Sequence, residues 1–74
     1  MSSGNNTLLV KLGKRIHAMR RKKCWTQSEM AAYLDMNRGH LSDIERGKRE
    51  AGLVTLQIIA TGLSTTMSKL LRGL

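Results

Sequence analysis

Residues 26–47, TQSEMAAYLDMNRGHLSDIERG, leave the chain little freedom. Thr26 is a strong N-cap and Glu29 follows three residues on, so TQSE reads as a capping box that opens a helix near Gln27. Met30, Ala31 and Leu34 form one apolar stripe along it, to about Leu34. Leu41 and Ile44 form the stripe of a second helix, from about Arg38 to Arg46. Asn37 is placed to cap that helix, and Gly47 to end it in the left-handed conformation. Only Asp35, Met36 and Asn37 remain between the two, enough for a tight turn and nothing longer.

Two short helices joined by so small a turn are the layout of a helix-turn-helix. The flanking residues supply further helices. Leu9, Leu12, Ile16 and Met19 recur at helical spacing and predict a buried face on a helix from about Leu8 to Lys23. Lys11, Lys14, Arg15, Arg21, Lys22 and Lys23 mostly fall on its other faces, either solvated or lying along a phosphate backbone. Cys24 and Trp25 connect it to the next helix, with Trp25 as a core plug. Leu53, Leu56, Ile59 and Ala60 face inward on a fourth helix, from about Leu53 to Thr61; Gly62 closes it and Leu63 lies just beyond. Thr65 or Thr66 caps a fifth, running to about Leu71. Met1 to Asn6 reads as a frayed polar tail. Residues 1–74 thus form a single domain.

Helix formers dominate, there is no proline or phenylalanine, and no run alternates for long, so the fold class is all-α. A core this small yields only a few kcal/mol of net stability, and a partner subunit would help. Thirteen basic against five acidic residues give a net charge of +8. That points to a polyanionic partner, nucleic acid first and an anionic membrane second. A single cysteine excludes an internal disulfide and suits a reducing cytoplasm. No apolar run approaches the roughly 20 residues that span a bilayer, and MSSGNNTLL has no secretory h-region. His17 and His40 are far apart and lack acidic partners at useful spacing, so His17 reads as solvated. There is no metal cluster, no nucleophile with a base and no phosphate-cradling glycine loop. The chain is expected not to be an enzyme, with no cofactor and no small-molecule ligand.

The run TQSEMAAYLDMNRGHLSDIERGKRE resembles the DNA-binding domain of the Cro/cI-type phage repressors, the XRE family. The matching marks are Thr26-Gln27, Ala31, Leu34, the LSDIERGKR run from Leu41 to Arg49, and LVTLQIIATGLSTTMSKLL from Leu53 to Leu71. The resemblance covers roughly Leu9 to Leu71. It implies a five-helix, lambda-repressor-like domain whose third helix reads the major groove of double-stranded DNA. By the same resemblance Arg38, Gly39, Ser42 and Asp43 occupy base-facing positions. Arg38 can grip guanine O6 and N7 in a fork, and Ser42 can read either way. Asp43 can accept from cytosine N4 or hold Arg38. Gly39 lets the backbone approach or accommodates a thymine methyl, or is a neutral loss. Gln27 resembles the family's phosphate-binding glutamine, at a helix N-terminus that suits an anion. Arg46, Lys48 and Arg49 should flank the groove on phosphates, and His40 either reaches a phosphate or shields the core. Arg20 and Glu45 stand where the family has a part-buried ion pair tying the first helix to the recognition helix. The family usually has glycine where Cys24 stands, because the chain turns left-handed there, and often proline where Ala51 stands.

One such motif reads about one half-site, and symmetric dimers read two. Met67, Leu71, Leu74 and Ile58 exceed what a five-helix core can bury, and mark a homodimer patch. The alternative is ordinary surface exposure. The expected function is therefore a compact, stand-alone transcription regulator, binding a palindromic operator as a homodimer. Controllers of restriction–modification systems, small phage repressors and antitoxin-like regulators are all compatible relatives. It would be cytoplasmic and nucleoid-associated through its DNA. The rivals are a protein-interaction module, antitoxin-like or coactivator-like, and a membrane binder built on the first helix, which would leave the capping box and the IERGKR run without purpose.

Overall fold

A computed structural model describes residues 7–74. The tail expected at Met1 to Asn6 lies outside the described residues. The elements are α1 (Thr7–Lys22), α2 (Gln27–Leu34), α3 (Arg38–Glu45), α4 (Leu53–Gly62) and α5 (Met67–Leu71), with no strand among the described residues. The capping box at α2 is complete. The Glu29 amide donates to Thr26 Oγ1 at 3.0 Å, and the Thr26 amide donates to Glu29 Oε1 at 2.8 Å. Asn37 Oδ1 accepts from the His40 amide at 3.0 Å to start α3, and Thr66 Oγ1 accepts from the Lys69 amide at 3.1 Å to start α5. Each cap satisfies an amide that the first turn leaves without a partner.

The first four helices end alike. In each, two amides fold back onto carbonyls of the last turn around one left-handed residue, the Schellman arrangement. At the end of α1 these bonds run from Trp25 to Arg20 and from Cys24 to Arg21. At α2 they run from Met36 to Ala31 and from Asp35 to Ala32. Lys48 to Asp43 with Gly47 to Ile44 ends α3, and Thr65 to Ala60 with Ser64 to Thr61 ends α4. Only the third stop is glycine, Gly47 at φ 73°; the others are Cys24 at 61°, Asp35 at 56° and Ser64 at 60°. Gly62 therefore does not close α4, as the sequence suggested. It is the last helical residue, and a Cβ there would stand 2.3 Å from Leu34 Cδ2, so its role is to let α2 approach α4.

Cys24 keeps the left-handed turn without the residue that suits it. A side chain in that region costs about 1–2 kcal/mol, partly offset by glycine's greater freedom in the unfolded chain. Cys24→Gly is expected to raise stability by about 0.5–1 kcal/mol, read as a higher urea midpoint at unchanged slope. A lower midpoint would show that the thiol makes contacts that outweigh the strain.

The core is one cluster. Ile16, Met30, Leu41, Ile44, Ile59 and Leu70 are fully buried, joined by Leu12, Ala31, Ala60 and Leu63. Burying each large side chain contributes roughly 1.5–3 kcal/mol. Met19, Trp25, Leu34 and Leu56 are half-buried against this cluster. Trp25 also stacks on Tyr33, ring centroids 5.1 Å apart, and lies under Lys23 Nζ at 5.4 Å. Leu53 does not face inward as expected; it is 72 % exposed. It continues the Leu56 stripe one turn earlier, but at that level none of the described residues covers it. Two features of α1 are not foreshadowed by apolar spacing. Gly13 is buried where α1 crosses α3, and Arg15 Nη1 donates to the carbonyls of Leu70, at 3.0 Å, and Arg72, clasping the end of α5.

Candidate nucleic-acid interface

The turn Asp35–Asn37 sets α3 at a fixed angle to α2, and Leu41 and Ile44 anchor its inner face in the core. Its outer face is what remains available. Arg38 and Gly39 are exposed in the first turn, with Ser42 and Asp43 half-buried one turn on. The four residues expected to meet bases therefore share the accessible side of one short helix. Gly39 is tight rather than open: a Cβ would meet Asn37 Oδ1, the capping atom, at 3.1 Å. Asp43 pairs with Arg49, Nε to Oδ2 at 4.0 Å, rather than with Arg38. The side chains of Arg49 and Asp43 are 57 % and 40 % exposed, so the pair contributes little to stability. Arg46 and Lys48 are exposed and, with Arg49, border the C-terminal end of α3; His40 is half-buried.

Behind this face lies a polar junction between α1, α2 and α3. Arg20 Nε donates to Glu45 Oε2 at 2.7 Å and Nη2 to Oε1 at 3.0 Å, while Nη1 donates to the Trp25 carbonyl at 2.7 Å. The two side chains are 6 % and 2 % exposed, so the ion pair expected here is present and almost fully buried. Gln27 Nε2 donates to the same Glu45 Oε1 at 3.1 Å. His17 Nδ1 lies 3.1 Å from Oε1 and 3.0 Å from Arg20 Nη2. Burial by itself would push the Glu45 carboxyl up, but the hydrogen bonds from Arg20, Gln27 and His17 outweigh it and hold the group below its ordinary value.

His17 is thus not a free, solvated side chain. The available signal was its place three residues before Arg20, on the same helical face. Of the four residues assigned to a dimer patch, Ile58 and Leu71 are exposed, whereas Met67 and Leu74 pack half-buried against the core. Ile58 and Met67 line adjoining hollows that share Gln57 and Thr61, while Leu71 lines another with Leu8 and Leu56. Among the described residues no group of acidic, histidine or cysteine side chains could hold a metal ion, and no helix is long and apolar enough to cross a membrane.

Comparison with known proteins supplies a family. A helix-turn-helix family model matches residues 16–70, more than half of the chain. Control protein C.MunI of a Mycoplasma species is 36 % identical over 66 residues, covering 88 % of this chain and 89 % of that protein. The immunity repressor protein of Bacillus phage phi105 is 35 % identical over 57 residues, 77 % of this chain but only 40 % of the repressor. Among solved structures, the restriction-modification controller protein C.AhdI from Aeromonas hydrophila superposes with a TM-score of 0.80 at 32 % identity, covering 84 % of this chain and 94 % of the controller. The clp gene regulator ClgR from C. glutamicum gives 0.82 at 28 % identity, over 86 % and 82 %.

Proposed function

The chain belongs to the helix-turn-helix family, and we propose that it is a sequence-specific, DNA-binding transcription regulator acting as a homodimer on a two-fold symmetric operator. The observation that carries this is the accessible face of α3, where Arg38, Gly39, Ser42 and Asp43 lie together with Arg46, Lys48 and Arg49 at its end. The major groove admits one helix and displays a distinct donor and acceptor pattern for each base pair. Arg38, Gly39, Ser42 and Asp43 read base edges. Gln27, His40, Arg46, Lys48 and Arg49 hold phosphates and fix register. The dimer forms through Ile58 and Leu71, which are among the apolar side chains left exposed, together with the half-buried Met67 and Leu74.

Similarity to C.MunI and to the restriction-modification controller C.AhdI, at 36 % and 32 % identity, supports a restriction–modification controller. Such a protein would work by occupying promoter DNA.

The two contact classes separate by mutation. Arg38→Ala should relax preference at one position per half-site, costing about 1–3 kcal/mol of discrimination there. Arg49→Ala should weaken all sequences and reduce the salt slope by about 1. Fluorescence anisotropy with matched and randomised duplexes over a salt series reads both. Identical losses on every sequence for the two variants would show that α3 does not read bases.

A further inference from the structure

Glu45 Oε1 is oversubscribed. Three nitrogens approach it: Arg20 Nη2 at 3.0 Å, Gln27 Nε2 at 3.1 Å and His17 Nδ1 at 3.1 Å. A carboxylate oxygen offers about two lone-pair sites. Arg20 holds one through the two-point pair, so Gln27 and His17 compete for the other. Which of them wins depends on a proton. In the neutral ring with hydrogen on Nε2, Nδ1 is an acceptor; it takes a hydrogen bond from Arg20 Nη2, 3.0 Å away, and leaves Oε1 to Gln27. When Nδ1 takes up a proton from solvent it becomes a charged donor. The Gln27 bond carries charge on its acceptor alone, whereas the imidazolium bond carries opposite charges on both partners and is the stronger, so the imidazolium takes Oε1 and the Gln27 amide is released.

We propose that His17 and Glu45 are positioning residues that set the availability of the Gln27 amide at the start of α2 for a DNA phosphate, and that protonating His17 frees it. The proposal rests on the DNA-binding reading above, because the phosphate contact of Gln27 belongs to that reading. The charged groups within hydrogen-bond range of His17 are Arg20 from α1 and Glu45 from α3, and α2 reaches the junction through the neutral Gln27 amide, bonded to Glu45. Lys14 and Arg21 stand three residues before and four after it on α1 and raise the local positive potential. The Glu45 carboxyl, held below its ordinary range, stays ionised throughout the interval in which histidine titrates, about pH 5 to 8. His17 is half-exposed, so the proton has a direct route from solvent.

The coupling has a fixed sign. Lower pH releases Gln27 and tightens DNA binding; by reciprocity, DNA binding makes His17 hold its proton more firmly. The size expected is at the low end for coupled sites, about fivefold in affinity between pH 8 and pH 5.5.

Two measurements test it. In the free protein, the side-chain amide resonances of Gln27 should shift with pH in step with the His17 ring, and His17→Gln should abolish the shift. This needs no DNA, so it is decided even if the regulator reading fails. A flat Gln27 amide across the histidine range overturns the coupling. The second is DNA affinity against pH for the wild type, His17→Gln, Gln27→Ala and the double variant, each retaining His40 as a common background. The wild type should gain about fivefold more on acidification than His17→Gln, and in the Gln27→Ala background His17→Gln should change the pH profile no further. If that extra gain persists without Gln27, His17 acts only as an added surface charge and the proposal fails. If wild type and His17→Gln run parallel, it fails equally. Absence of sequence-specific binding by any variant at any pH would instead overturn the DNA-binding reading.

Discussion

Glu45→Gln is expected to lower stability by about 3–5 kcal/mol, because it removes one partner of a buried ion pair and leaves the other charge unmatched. Arg20 is 6 % exposed at its side chain, and two of its three donating nitrogens end on the Glu45 carboxylate. The substituted amide can still accept from Arg20, but without charge, and it turns an N–H toward a cation. Glu50 is exposed in the loop before α4, and Glu50→Gln should stay within about 0.5 kcal/mol of the wild type. The pH dependence carries a second signature. The Glu45 carboxyl is held below its ordinary value, so its contribution is fully present above the unfolded-state value and is lost as pH falls through the lowered, folded-state value. Part of the acid lability of the wild type should therefore be missing from Glu45→Gln. Urea midpoints at neutral pH and at pH values below the ordinary carboxylate range measure both effects. Equal losses for the substitutions at 45 and 50 would show that the pair holds α1 to α3 no better than a surface bridge.

Gly13→Ala is the second large effect, and it acts on the same helix crossing from the other side. A Cβ on residue 13 would stand 2.4 Å from the Glu45 carbonyl oxygen and 2.6 Å from that of Ile44. Both obstacles are backbone, so no rotamer change relieves them and α1 must lift from α3. Overpacking of this kind costs about 1–3 kcal/mol, at times more. In an exposed helix the same change would gain about 1 kcal/mol. We expect a net loss of about 2–3 kcal/mol and a coupling with Glu45. The double variant should lose less than the sum of the singles, because lifting α1 already loosens the ion pair. A more stable Gly13→Ala would contradict the close approach of the two helices.

The motif was legible because its signals are local. Thr26, Glu29, Asn37 and Thr66 cap helices through atoms a few residues away, and the spacing of Met30, Ala31, Leu41 and Ile44 reports its own burial. The Arg20–Glu45 pair was legible only through resemblance, since 25 residues separate its members. What escaped depends on distant chain. Gly13 looks like a weak point in α1 until α3 is laid across it, and Arg15 looks like one more solvated cation until α5 ends beneath it. His17 looks solitary because its carboxylate is 28 residues on. Leu53 erred the other way: its periodicity was right, but periodicity does not say where the neighbouring helices stop. Gly62 was read as a helix stop when the stop is Ser64, because a glycine that permits a turn and one that permits an approach look the same in sequence.

Sequence reading by α3 in a symmetric dimer is tested most directly by selection from a random duplex pool, followed by anisotropy on the recovered sites across salt concentrations. The expected result is a two-fold symmetric site, half-sites about one helical turn apart, bound at least about a thousandfold more tightly than random duplex. If every duplex bound alike, with steep salt dependence, the net charge of +8 alone would account for the binding, and the claim would be contradicted.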